Sequence, residues 1–405
     1  MIQFTKSALL GSFLALSMIS VNAFAQDEAK KEGYKFTPVK VLEISPVQDQ
    51  AMTGTCWSFS GTGFLDSEVY RLTGKRVLLS PLYSVAQGYK DKARAYVRYQ
   101  GHNNFGQGGS FYDVLAVLES RGVVPFEEYT GLLAGQTRYN HNELEALAKG
   151  YLDTIVKEMM KANHRSPSWA EGFDGIIDSY LGKMPETFKF DGKEFTPASF
   201  AEYLKLDADN YVSITSFSHH PFYRAFVLEI PDNWRHSVSY NLPVDEMMQV
   251  IDNAIAGGFT VAWGTDVSED GFTRDGYAVL PDIEAATSTR GSDMEKWIGA
   301  SAGERRMLTA KLIQDPKTPE IKVTQEYRQR GFDDLSTTDD HGMLIYGTAK
   351  DQYGKPFYMV KNSWGTSIGY DGIWYASKPF VAGKTISITV HKDAIPKALR
   401  TKLGL

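Results

Sequence analysis

Residues 44–60 read Ile44-Ser45-Pro46-Val47-Gln48-Asp49-Gln50-Ala51-Met52-Thr53-Gly54-Thr55-Cys56-Trp57-Ser58-Phe59-Ser60, and they contain the only cysteine of the 405-residue chain. Gly54 interrupts regular structure. Trp57, Phe64, Leu65, Val69 and Leu72 then recur at helical spacing, which predicts a helix from Cys56 to about Leu72 with Gly74 just past its end. Cys56 would open that helix. Free N–H groups and the helix dipole favour an anion there, so the position is expected to lower the thiol pKa. Gln50, six residues upstream, can offer its amide N–H beside the sulfur, and with the Cys56 N–H it would make an oxyanion hole. The plainer reading of a lone cysteine is a small buried hydrophobe. A nucleophile needs a base, so the histidines decide between the two.

Of eight histidines, His341 opens the apolar run Gly342-Met343-Leu344-Ile345-Tyr346-Gly347, which reads as a buried strand. Turn residues fill 351–355, a second strand follows at 356–360, and Lys361-Asn362-Ser363-Trp364-Gly365 comes directly after it. A hairpin of this length returns position 362 to the side of position 341. Asn362 can then accept from the imidazole and fix its tautomer while the other ring nitrogen faces the thiol. Trp364 is placed to cover the pair. The other histidines lack such a partner. The His219-His220 pair suggests a metal, but neither a cysteine nor another histidine pair stands near it, so both are expected to be loop or surface residues and no metal or cofactor is expected.

Gln50, Gly54, Cys56, Trp57 and Phe59, followed downstream by His341-Gly342-Met343 and Asn362-Ser363-Trp364-Gly365, resemble the papain-like cysteine peptidases. The resemblance implies Cys56 as nucleophile, His341 as base, Asn362 as the orienting residue and Gln50 in the oxyanion hole. Gly108-Gly109, ahead of a helical run from Tyr112 to Ser120, resembles the family's substrate-facing glycine loop, where a side chain would block a substrate backbone. Leu79-Ser80-Pro81 marks another helix start, with Ser80 as N-cap.

Spacing points to a branch. Cys56 and His341 are 285 residues apart, whereas papain and the cathepsins place the histidine about 130–150 residues downstream. Roughly 140 extra residues lie between, within about 130–330. They hold helical patterns at 142–162, 197–204 and up to Gly257-Gly258, then the apolar run Phe259 to Val267. This is similar to the bleomycin hydrolase and aminopeptidase C branch, which lacks the cathepsin disulfides, as Thr53 and Gly106 do here. The branch implies removal of amino-terminal residues, hexameric assembly and a C-terminal arm in the cleft. Here a short helical segment, Pro396 to Leu403, precedes Leu405, so the arm is expected to be truncated. Acidic residues such as Glu43, Asp266, Glu269 and Asp270 are then expected to receive the substrate ammonium in its place. Ile368 stands where cathepsins carry a second tryptophan on the leaving-group side. An endopeptidase with an open cleft, an acyl transferase using the same thioester, and an inactive binding scaffold are the alternatives.

The start of the chain reads as an address. Lys6 precedes an apolar stretch from Ala8 to Val21, and Ala23-Phe24-Ala25 gives a small-x-small cleavage site, so residues 1–25 are expected to be a secretory signal, cleaved after Ala25. The run is short for a membrane span. Export to a periplasmic or extracellular space is the expectation, with no stable membrane insertion afterwards. A net charge of −6 without a long basic run argues against nucleic acid as partner, and the resemblance implies peptide substrates. The expected fold is α+β over residues 26–405: a helical half led by the Cys56 helix, an antiparallel β half carrying His341 and Asn362, and the insertion between them.

Overall fold

Helix α1 (Cys56–Thr73) is the spine of the helical half, and Gly74 ends it in the left-handed conformation. The computed structural model describes residues 33–161, 165–288 and 300–405. The expected secretory segment lies outside them, as does Ala162 at the end of one expected helix. Helices α2 (Pro81–Arg98), α3 (Phe111–Arg121), α4 (Asn142–Met159), α5 (Trp169–Leu181) and α6 (Pro197–Tyr203) pack with α1 around one apolar core. Ser80 caps α2 by accepting from the Tyr83 N–H, with Pro81 in the first turn, as its sequence predicts. Among the described residues no helix is long and apolar enough to cross a membrane.

The other half is a ten-stranded sheet. Strand β1 (Phe36–Val41) pairs with the long strand that starts at His341. A separate hairpin, β2 (Phe188–Phe190) and β3 (Lys193–Phe195), belongs to the helical half. The large sheet continues with β4 (Tyr211–Thr215), β5 (Ala225–Val227), β6 (Val238–Asn241), β7 (Val261–Thr265), β8 (Tyr277–Ala278), β9 (His341–Asp351), β10 (Pro356–Lys361), β11 (Ile373–Ser377) and β12 (Thr385–His391). Most pairs are antiparallel, as expected, but β4 runs parallel to β6 and β11 to β8. Both exceptions bring in strands of the insertion, which reach the sheet by crossovers rather than hairpins. Helix α7 (Val244–Gly257) lays Met247, Val250, Ile251 and Ala254 on this sheet, and a second core forms with Trp263, Met343, Tyr358 and Trp374.

The insertion is therefore structural. Its β4–β7 supply one side of the sheet, in the order β5-β6-β4-β12-β7-β9, so β9 stands between an inserted strand and the β10 hairpin. The two cores meet where α1 lies on β9. That approach depends on glycine at 342: a Cβ there would stand 2.8 Å from Ser60 Oγ and 3.2 Å from the Phe111 ring. The residue before it, His341, is thereby set at the helix entrance.

Candidate active site

Cys56 is the first residue of α1, and its sulfur accepts backbone N–H groups from Trp57 and from Gly342. The second contact joins the halves, because Gly342 follows His341 on β9. Cys56 and His341 both line one cleft, together with Gly109, Ser110, Asp232 and Asp339.

The expected hairpin closes as read. A register shift between Met359 and Val360 carries β10 past β9, and Asn362 follows. His341 Nε2 donates to Asn362 Oδ1 at 2.7 Å, which leaves Nδ1 as the basic nitrogen. Asn362 Oδ1 also accepts the Ser363 N–H at 2.7 Å, so its orientation is fixed from two directions. Trp364 lies over the imidazole with ring centroids 4.6 Å apart. Asn362 is 1% exposed and His341 5%, so water does not compete for their bond.

Gln50 is tied to the same turn. Its N–H donates to Ser363 O at 2.8 Å, Ser363 Oγ donates to its Oε1 at 2.6 Å, and its Nε2 donates to Thr53 O at 2.7 Å. One hydrogen of that amide has no partner among the described residues. At the helix start the Ser58 and Phe59 N–H groups bond Thr55 O. The Gly365 N–H bonds Gln48 O at 3.1 Å, so the segments before the cysteine and after the asparagine run as one short ladder.

The helix start acts on the thiol in the expected direction, through the Trp57 N–H, but burial outweighs it and pushes Cys56 up to about 12, with the carboxylates of Asp339 and Asp232 adding to the rise. Burial likewise pushes His341 down to about 4, opposed by its bond to Asn362. Two N–H groups on the sulfur do not offset desolvation in a closed, acidic cleft.

The glycine loop is strapped to the cysteine segment. Trp57 Nε1 donates to Gln107 O at 3.0 Å, and the Gly54 N–H donates to Gln107 Oε1 at 2.8 Å. Buried Lys92 donates to the carbonyls of Gly106 and Gly108. Gly109 lines the cleft as expected, but Gly108 does not, because Asp232 of the insertion lies over it. The expected ammonium partners are elsewhere: Glu43 pairs with Arg76, Glu269 with Lys384, and Asp266 with Ser268. None of these, nor Asp270, lines the cleft. Their positions follow the ends of other elements, which sequence proximity to an apolar run does not disclose.

Asp232 and Asp339 are cleft residues that sequence reasoning misses. Asp339 stands two residues before His341 and could have been found on that ground; Asp232 carries no local signal. His219 and His220 lie in the turn between β4 and β5, as expected of loop residues. Glu229 reaches both rings, at 3.1 Å from His219 Nε2 and 2.8 Å from His220 Nε2, so one ligand atom from each of the three residues lies within 4.8 Å of the others.

A cysteine and a histidine facing each other across two halves, with an asparagine behind the histidine, define a thiol peptidase of papain-like fold. The chain belongs to the Peptidase C1-like family, whose profile matches residues 85–283 and 291–404. Among similar proteins is an aminopeptidase C of Streptococcus thermophilus, 24% identical over 71% of this chain and 63% of that protein, so the match spans less than two thirds of that relative. Another is an aminopeptidase C of Lactobacillus delbrueckii subsp. lactis, 22% identical over 89% of this chain and 82% of that one. The crystal structure of PepW from Lactobacillus rhamnosis has the same fold, with a TM-score of 0.67 at 18% identity, covering 91% of this chain and 84% of that chain.

Proposed function

We propose that this chain is a cysteine aminopeptidase, with Cys56 as nucleophile, His341 as general base and acid, Asn362 orienting the ring, and Gln50 with the Cys56 N–H holding the oxyanion. The observation that carries the reading is the 2.7 Å bond from His341 Nε2 to Asn362 Oδ1 beside a sulfur tied to Gly342. In the reaction Nδ1 takes the thiol proton as sulfur attacks the scissile carbonyl. The C–S bond forms and the oxyanion develops. His341 then protonates the departing amine as the C–N bond breaks, and water, deprotonated by the same ring, releases the acyl group. The named relatives support action at the amino end. The test is hydrolysis of an aminoacyl-coumarin against its N-acetylated twin, with Cys56→Ala as control. Preference for the free amine by tenfold or more, about 1.4 kcal/mol, supports the reading. Equal or better cleavage of the blocked substrate makes it an endopeptidase, and an active Cys56→Ala removes the nucleophile.

We also infer that the protein is exported, on the charge, apolar stretch and Ala23-Phe24-Ala25 site of its first 25 residues. Mass spectrometry of the mature protein should find Gln26 at its amino end; a retained Met1 refutes this.

A further inference from the structure

The wall of the cleft that faces Cys56 is acidic, and its charge is not balanced from within. Asp232 belongs to the segment that leads into β6, and this segment is clamped onto the helical half. Trp234 Nε1 and Arg235 Nε both donate to the buried Asp113, at 3.0 and 2.6 Å, and Asn104 Nδ2 donates to Pro231 O at 2.9 Å. The clamp holds the Asp232 carboxylate over Gly108, where a Cβ would meet its oxygens at 2.3 and 2.4 Å, and the Gly109 N–H bonds it. An extended substrate backbone running along the glycine loop would need the same N–H group and the same space. The cleft therefore ends at Asp232.

Asp339 approaches from the β half, through the turn that delivers His341. It lines the same cleft, and among the described residues no hydrogen bond or ion pair engages its carboxylate. The available cations are committed elsewhere: Arg235 bridges Asp113 and Asp91, and Lys92 is held by the carbonyls of Gly106 and Gly108, from where its charge reaches Asp232 but not Asp339. Enclosure pushes Asp339 up to about 8, with the charge of Asp232 next in effect and Asp340 after it. A half-buried carboxyl enclosed in a cleft without a counter-charge favours a cation that comes to it.

Resting on the aminopeptidase reading, we propose that Asp232 and Asp339 form the subsite that ends the cleft and receives the α-ammonium of the substrate, so that one residue fits between this wall and the Cys56 sulfur. The substrate class is then peptides with an unmodified amino terminus, cut one residue at a time.

The experiment compares wild type, Asp339→Asn and Asp232→Asn on the aminoacyl-coumarin and its N-acetylated twin. Each variant should cut the wild-type preference for the free amine at least fivefold, chiefly by raising KM for the free-amine substrate, and Asp339→Glu should restore part of it. A mere packing role would lower both substrates together. If the wild type prefers the free amine and both variants keep that preference, the subsite assignment is overturned while the aminopeptidase reading stands. If the wild type shows no preference, that reading falls, and this one with it. A measurement on the unmutated enzyme guards against misfolded variants: leucinamide should protect Cys56 from iodoacetamide and N-acetyl-leucinamide should not. Equal protection by both overturns the proposal.

Discussion

Replacing Asn362 by alanine isolates the part of the site that is defined by a single bond. His341 Nε2 donates to Asn362 Oδ1 at 2.7 Å in a place almost closed to water. Without the acceptor, a buried N–H is left unsatisfied, which costs roughly 1–3 kcal/mol. The ring also loses what fixes its tautomer. If that whole penalty falls on the reactive arrangement, kcat/KM drops about 5- to 150-fold, at 1.36 kcal/mol per factor of ten. Loss of the base itself, in His341→Ala, should cost roughly 10²–10⁴, so the asparagine variant is the milder one. Asn362→Asp sharpens the test. The Asn362 Nδ2 is buried without a partner, so no donor function is lost in that exchange. A carboxylate there favours the imidazolium and raises His341 from about 4, moving the acid limb of the kcat/KM profile to higher pH. The assay is kcat/KM on the aminoacyl-coumarin from pH 4 to 9 for the three variants. A wild-type rate in Asn362→Ala, or a larger loss than in His341→Ala, would refute the orienting role.

Gln50→Ala should lower kcat with little change in KM, by roughly the 10²–10³ that one such donor contributes in a serine peptidase; a pure KM effect would make Gln50 a ground-state binder. As pH drops from 6.5 towards 4, two histidines should draw stability down while two raised carboxyls draw it up. Burial holds His141 and His341 down to about 4, so only the unfolded chain takes up those protons, and each ring costs up to about 3 kcal/mol at the lower limit. Asp66 and Asp339, raised by burial, act with opposite sign. A single His141→Leu variant therefore isolates one ring: from pH 7 to 5 its urea midpoint should fall less, or rise more, than that of wild type, and an identical pH dependence counts against the assignment.

How legible the molecule is from its sequence depends on the range of the forces involved. Helix α1 with its Gly74 stop, the Ser80 cap, and the β9–β10 hairpin that returns Asn362 to His341 all follow from local periodicity and turn chemistry, and they stand where the sequence places them. The upward push on the Cys56 thiol does not follow, because it depends on desolvation and on carboxylates 176 and 283 residues away in the chain. Asp232 is placed by Trp234 and Arg235 docking on Asp113. That contact is between surfaces whose pairing no periodicity encodes. Glu229 meets His219 and His220 for the same reason: β5 and the turn before it must form first.

The junction of α1 with β9 also bears on when the enzyme comes into being. Gly342 must reach the Cys56 sulfur across 286 residues of chain, and inserted strands must enter the sheet beside β9 before that face is complete. Contacts so distant in sequence are made late, because loop-closure entropy is spent before they repay it. A nascent chain emerging from the ribosome has its nucleophile from the start and its base only near the end. Partly made chains thus lack the paired cysteine and histidine, a latency built into chain order.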